Sequence, residues 1–585
     1  MSTFPAPPTA NKAWRIRRFE DSEVRRLRED LGLQIPTAKA LLANGLRSAS
    51  EARAFLSPSF ENWRQLASFP SLAAGARRLA EFSRGQRRIC VHGDFDNDGV
   101  LAAVIMREGF AALGLPCLAI IPTRAEGHGL NPSSLRRARD LGAEVIVSVD
   151  CGITAVAEAQ LAKSLGMELI ITDHHLPGSE IPEASVVVCP HLDGAEPFKI
   201  YSGAALSLKL VLETASLLPG ARLESAAFRG FTLNAIILAA LATIGDVVPL
   251  IGDNRALVNE ALGLLDRASW PAIKSLLHAA RVRPGGATAE DLAFQLLPRM
   301  NAAQRMGRGD LLWSLFETRD SGEAEKICAA LDKLNEERKS HLEETLGRIL
   351  QNGGGGADGQ AAIIVCGDSW REGISGLIAS RLSETHRCPA AVILVRDGMG
   401  QASLRAPEGY NLKQALDECA LHLIGYGGHE GAAGFRIAAA EIPVFRERFL
   451  ESIRRQGAAR AGVDPADRLL ILDEIQWPQI EPGLLSELQR LEPFGHGNPR
   501  PLFACRGVHL DGPPNFFGAN RNHVSLSLLR PGGGRTQRAV GFNMASEVGL
   551  LAGSMEVDIA FHFSRDGFSG KPQLQLKAVR PHLPR

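Results

Sequence analysis

Six acidic residues and two adjacent histidines stand where apolar runs stop. Asp94, Asp96 and Asp98 lie in VHGDFDNDGV, Asp150 ends VIVSVD, Asp173, His174 and His175 close ELIITDHH, and Asp246 follows AIILAALATIG. Carboxylates and imidazoles delivered repeatedly at the ends of buried elements are what a pair of divalent metal ions requires. Apolar strands bring hard oxygen and borderline nitrogen ligands together at one edge of a sheet.

Asp96 and Asp98, two apart at a strand end, can point to the same face. Such a pair can supply one bridging and one terminal carboxylate to metals about 3.5–4 Å apart. Asp150 can bridge both ions, His174 can give nitrogen to one, and Asp246 can close the shell from a helical segment. The bland alternative makes Asp94, Asp96 and Asp98 turn acids that cap a helix starting near Gly99. For Asp94 alone the two readings stand level, whereas the cluster downstream favours ligands at Asp96 and Asp98. Neighbouring side chains at a strand end point to opposite faces, so Asp173, His174 and His175 are not expected on one metal. His174 is the expected ligand, His175 meets substrate phosphate, and Asp173 orients an imidazole from behind. His92 reads as a ligand slightly more than as an ordinary strand residue.

These ligands need a parallel sheet. From about Arg87 short apolar runs (RRICVHG, CLAIIP, EVIVSVD, ELIITD, SVVVCP) alternate with helical stretches such as VLAAVIMREGFAAL. Near-continuous apolar strands separated by helices predict a sheet covered on both faces, with its ligand site off the carboxyl ends. A helical stretch follows to about Leu350, ending in a helix with Ile327, Leu331, Leu334, Leu342, Leu346 and Ile349 on one face. The run QNGGGGADGQ breaks it, since four glycines cannot hold a helix. AAIIVCGD and AAVILVRDG then frame a second small α/β unit, closed by YGGHEGAAGF. From about Asp464, HVSLSLL, MEVDIAFHF and PQLQLKAV alternate as an antiparallel barrel does. The expected organisation is multidomain α/β: 1–70 helical, 71–280 catalytic, 281–350 a helical connector, 351–460 the smaller α/β domain, and 461–585 a barrel of OB type.

Composition bounds the rest. At 585 residues and 45% apolar content the chain needs several cores and is globular. Lys+Arg and Asp+Glu both number 65, so a polyanion must be met by local clusters rather than by a global field. The nine cysteines form no CxxC pair and read as reduced thiols of a cytoplasmic protein. The N-terminus lacks the apolar core of a signal peptide, and the stretch from about Ala235 to Ile244 is too short to span a bilayer.

The ordered set HGDFDNDG, VDCG, TDHH and GDVVPL resembles the DHH phosphoesterase superfamily, and GYGGHEGAAGF resembles the glycine-rich signature of its companion domain. LLPRMNAAQRM, EERK and LEPFGHGNPRPLF extend the resemblance, over nearly the whole chain, to the RecJ family of single-strand-specific 5′→3′ exonucleases. The resemblance implies two divalent ions, Mn2+ or Mg2+, on Asp96, Asp98, Asp150, His174 and Asp246, with His175 on phosphate. It implies a pocket for the DNA 5′-phosphate at Arg124, Ser403 and Arg405, a nucleic-acid path along Arg299 and Arg305, and His429 near the metals. It implies substrate threading a cleft between the α/β domains, a role in DNA repair and recombination, and a single-strand-binding protein and a helicase as partners. The barrel would grip single strands by stacking, with Phe494, Phe503, Phe516 and Phe517 as aromatic candidates. The chain departs from the family pattern at Asn97, His128, Gln304, Gln401 and Ala402, none of them an expected ligand. A relative acting on very short oligonucleotides and a non-catalytic scaffold are the rivals; the long C-terminal part argues against the first, and the complete ligand set against the second.

Overall fold

In the computed structural model the structure describes residues 13–582 apart from 66–68, 116, 124–125, 128, 195–199, 219–222, 352–360, 460–467, 519, 530–535, 550, 552–555 and 567–569. Arg124, His128 and the glycine run 353–356 therefore lie outside the described residues. The chain forms two units, one of residues 50–336 with 491–499, the other made by the rest.

The apolar runs of the first unit form the parallel sheet their composition predicts. Its five strands lie in the order Leu118–Ile120, Ile89–Gly93, Val145–Val149, Glu168–Thr172, Val186–Val188. Ile89–Gly93 and Val145–Val149 are buried at every position, which is why their sequences run apolar without alternation. Val91, Val147 and Ile170 face a core shared with helices Pro70–Arg84, Asn97–Ala112 and Gly203–Leu217. Cys90, Ile146 and Ile171 face the opposite core, under helices Pro132–Asp140 and Val156–Ser164. Helix Ala226–Gly245 is long and apolar enough to cross a bilayer by length and composition, but it is mostly buried and serves as a core helix.

Helix Ser321–Gln351 buries Ala324, Cys328 and Leu331 in the core of the first unit, and Leu346 and Ile349 in a core of the second. The second unit contains a mixed sheet ordered Gly425–Gly428, Ala432–Ala438, Met399–Arg405, Ala390–Arg396, Ile363–Gly367, in which only the last pair is parallel. Its C-terminal strands close on themselves. Phe503–Leu510 pairs with Glu556–Arg565, then Pro572–Pro581, Gln537–Gly541 and His523–Leu529, which returns to Phe503–Leu510. This is a five-stranded, mostly antiparallel barrel of OB type.

The N-terminal region contains helices, but also a strand, Ala13–Ile16, that runs parallel to Arg468–Ile471. Local periodicity could not reveal it, because its partner is distant in sequence. None of the nine cysteines is disulfide-bonded.

Candidate metal centre

The chain passes from strand Ile89–Gly93 to Leu118–Ile120 on one side, then to Val145–Val149 on the other. Connections leaving in opposite directions open a crevice beyond the carboxyl ends, the usual ligand position in such sheets. Asp94–Asp98 and Asp150 follow the two strands that flank it.

Asp150 leaves its strand with a φ of 60°, a left-handed conformation that Asp tolerates better than most residues. Its buried Oδ1 lies 3.1 Å from His174 Nε2, outside hydrogen-bond geometry, and neither atom has a hydrogen-bond partner. Around the same nitrogen, Asp98 Oδ2 and Asp246 Oδ2 each stand at 3.8 Å. Two groups of ligand atoms result, Asp150 with His174 and His175, and Asp98 with His174 and Asp246, each within 4.8 Å of one another. A buried acceptor and a buried imidazole nitrogen left orphaned together are costly unless something binds both. The oxygen and nitrogen donors fit a divalent cation.

The electrostatics agree. Burial, reinforced by the charges of Asp98 and Asp96, pushes the Asp150 carboxyl well above the usual carboxylate range. Burial also raises Asp98, against the pull of His174. Asp246 is raised to about 6 by burial and by Asp98. Carboxylates crowded this way stay ionised only if a cation neutralises them.

Backbone groups hold the cluster in place. Asp98 Oδ2 accepts the Gly203 N–H at 2.7 Å and Oδ1 accepts the Ala204 N–H at 2.8 Å, at the N-terminus of helix Gly203–Leu217 where anions are favoured. Asp173 accepts the Ile153 N–H at 2.9 Å and lies 2.8 Å from His175 Nδ1. That contact to Asp173 raises the His175 imidazolium to about 9, so the ring is cationic at neutral pH. Strand Glu168–Thr172 ends before these residues. The opposite-faces rule therefore lapses, and the rings of His174 and His175 lie side by side with centroids 4.4 Å apart.

Three neighbouring positions bear on the ligand set. His92 stands outside both groups of ligand atoms: its Nε2 is hydrogen-bonded to Ser134 Oγ at 2.8 Å, its Nδ1 lies 3.9 Å from Cys151 Sγ, and burial lowers its pKa to about 4. Asp96 and Asp98 are not a strand-end pair, because the helix begins at Asn97; Asp96 is its N-cap, accepting the Gly99 N–H at 3.0 Å. Asp94 Oδ1 accepts the N–H groups of Phe95 at 2.7 Å and Gly129 at 3.0 Å, so this acid is spent at least in part on a turn. Sequence reasoning also missed Asn301, whose Oδ1 accepts from Asn97 Nδ2 at 2.8 Å and ties the PRMNAAQRM helix to the aspartate loop. The asparagine within that motif was the available signal.

Arg299 donates to Gln295 O and pairs with Asp332 at 2.6 Å. Arg305 ends the same helix, Leu297–Arg305, where Gln304 is buried. In the second unit Ser403 and Arg405 share the strand Met399–Arg405. A Cβ built on Gly376, in the first turn of helix Ser375–His386, would lie 3.3 Å from Arg405 Nη2 and 3.9 Å from Ser403 Oγ. No carboxylate pairs with Arg405 among the described residues, and burial lowers its pKa. A half-buried cation and a hydroxyl beside a helix N-terminus suit an anion. Gln401 bonds Glu372 at 3.0 Å and Ala402 is core. His429 is exposed at the turn of the YGGHEGAAGF hairpin. Phe503 is wholly buried and Phe494 is 5% exposed, so neither is a free stacking platform; Phe516 and Phe517 are half-buried.

A parallel sheet with this acid–imidazole edge is the catalytic architecture of a DHH phosphoesterase. Residues 88–238 match the DHH family N-terminal domain, 358–455 the DHHA1 domain, and 473–580 the RecJ OB domain. The chain belongs to the RecJ family. It is 31% identical to the single-stranded-DNA-specific exonuclease RecJ of Bacillus subtilis (strain 168) over 575 residues, 96% of this chain and 70% of that protein. Among solved structures, RecJ of Thermus thermophilus in complex with Mn2+ is similar with a TM-score of 0.80 at 29% identity, covering 98% of this chain and 80% of that one. The same protein in complex with Mg2+ gives 0.75 at 28% identity, covering 98% and 79%.

Proposed function

We propose that this chain is a metal-dependent exonuclease that degrades single-stranded DNA from the 5′ end, in DNA repair and recombination in the cytoplasm. The observation that carries the reading is the orphaned pair of Asp150 Oδ1 and His174 Nε2, 3.1 Å apart between Asp98 and Asp246. Asp98, Asp150, His174 and Asp246 would hold two divalent ions, Mn2+ or Mg2+, with Asp96 as a further ligand. When bound, such a pair supplies an activated water and neutralises charge at the phosphoryl group. The chain itself does the positioning. Gly203 and Ala204 fix Asp98, Asp173 fixes His175, and the His175 cation meets a phosphate oxygen. Ser403 and Arg405 take the terminal 5′-phosphate, and Arg124, Arg305 and His429 contact the strand. Arg299 acts through its pairing with Asp332. The family supports single-stranded DNA as the substrate; a single-strand-binding protein and a helicase are the proposed partners.

End-labelled single strands with a free or a blocked 5′ end test this. Release of nucleotides from free 5′ ends in Mn2+ or Mg2+, stopped by the block and by chelation, is the expected result. Degradation that begins at the 3′ end, or that survives chelation, overturns the reading.

A further inference from the structure

The segment LEPFGHGNP, 491–499, is part of the resemblance to the RecJ family, yet it holds none of the metal or phosphate ligands assigned above. It belongs to the unit of the metal centre although the chain on both sides of it belongs to the other. Its target is the turn that carries Asp246. Asp246 caps the C-terminal end of helix Ala226–Gly245, and the next residue, Val247, is 64% exposed with a φ of 58°. A cavity of about 400 Å3 lies against this turn, bounded by Ile244, Val247 and Leu250 with Phe494 and His496. A turn flanked by open space does not hold a carboxylate by its own packing.

The segment supplies what the turn lacks. The Leu250 N–H donates to the His496 carbonyl at 2.7 Å. A Cβ on Gly497, which has a φ of 74°, would lie 3.0 Å from Pro249 Cβ, so the backbone itself rests on the turn. The segment is rigid because Asn498, wholly buried, donates from Nδ2 to the carbonyls of Leu491 and Pro493, both at 2.8 Å. Arg255, 1% exposed, anchors it: Nη1 donates to Leu491 O at 2.7 Å while Nε donates to Phe55 O at 3.0 Å. Two buried side chains committed to carbonyls of one short loop give it a single conformation.

We propose that 491–499 is a strap that positions Asp246 for metal binding, with Asn498 and Arg255 as positioning residues that touch neither metal nor DNA. This rests on the two-metal reading of the site. Supports behind a metal ligand typically change metal affinity about 10–100-fold when removed. The strap rests on the residues that follow Asp246, so its loss acts on the ion that Asp246 helps to hold.

The test is a Mn2+ binding isotherm on the full chain without DNA, so the strap stands or falls apart from the exonuclease reading. Asn498→Ala weakens one of the two Mn2+ sites about tenfold and leaves the other in place. Its cleavage rate recovers at high Mn2+, with an unchanged Michaelis constant for DNA. Gly497→Ala, which pushes the loop off Pro249, gives the same split isotherm and serves where Asn498→Ala does not fold. His496→Ala leaves both sites unchanged, because only the carbonyl is used. An unchanged isotherm in both folded variants, equal loss at both sites, or an effect of His496→Ala as large as that of Asn498→Ala overturns the proposal.

Discussion

Asp150 shows what a metal site costs when nothing neutralises it. Its carboxyl is buried, left-handed in backbone, without a hydrogen bond for Oδ1, and raised by burial and by its acidic neighbours. Asn at this position keeps the shape, tolerates the backbone and removes the charge. Asp150→Asn should therefore melt higher than the parent in chelator, by about 0.5–2 kcal/mol. Addition of Mn2+ should raise the melting temperature of the parent, and of the variant far less, while hydrolysis disappears. A variant that melts lower in chelator, or still cleaves in Mn2+, contradicts this account. Arg405 poses the opposite case, a half-buried cation with no carboxylate paired to it among the described residues. A charge-assisted contact to phosphate is worth about 1.5–3 kcal/mol. Arg405→Ala should lose that much on 5′-phosphorylated strands and much less on 5′-hydroxyl strands; equal losses on both would show that Arg405 does not read the end.

At the scale of elements, the sheet and the positions of Asp150, His174 and Asp246 were legible because apolar runs end at them. What failed was local geometry. The helix starts at Asn97, so Asp96 caps instead of pairing with Asp98, and the strand stops at Thr172, so the two histidines lie side by side. His92 was ambiguous because a histidine in a buried strand can equally bond a serine from the helix above it, as it does with Ser134. The support for Asp98, the start of helix Gly203–Leu217, was hidden because it comes from a distant helix. Only the small residues of SGAAL hinted at a close approach. That approach is testable. A Cβ at residue 203 would lie 2.5 Å from both Cβ and Oδ1 of Asp150, where no real contact is tolerated. Gly203→Ala must displace Asp150, and Mn2+ affinity should fall about 10–100-fold. Overpacking should cost about 1–3 kcal/mol of stability in chelator. Titration calorimetry and melting curves read both, and an unchanged isotherm would place Asp150 outside the metal shell.

At the scale of the whole molecule, chain order and spatial grouping part company. Residues 491–499 join the metal unit from inside the C-terminal part, so a cut near residue 464 removes the proposed strap along with the barrel. The N-terminus makes the complementary excursion. Strand Ala13–Ile16 pairs with Arg468–Ile471, and Arg17 N–H continues the ladder to Ile471 O at 2.8 Å. Trp14 and Ile16 pack against Ile471, Ala504, Ala560 and Ala578, with the Arg580 guanidinium 4.1 Å from the Trp14 ring. Lys39 adds a 2.6 Å ion pair to Asp473, and the Gln34 N–H bonds Glu487 at 2.9 Å. The first residues of the chain thus complete a body made mostly by its last ones. Deleting residues 1–18 strips an edge strand and uncovers that apolar cluster, and the cation–π contact alone is worth about 0.5–2 kcal/mol. Melting of the barrel should shift down, and affinity for long single strands should fall with it. The Mn2+-induced stabilisation of the metal unit should persist, since among the described residues none of its supports lies before residue 19. Calorimetry with and without Mn2+, beside strand binding, separates the two units. A deletion that leaves barrel melting untouched would mean that the N-terminal strand only decorates the edge; one that abolishes the Mn2+ response would mean that the two units do not melt independently.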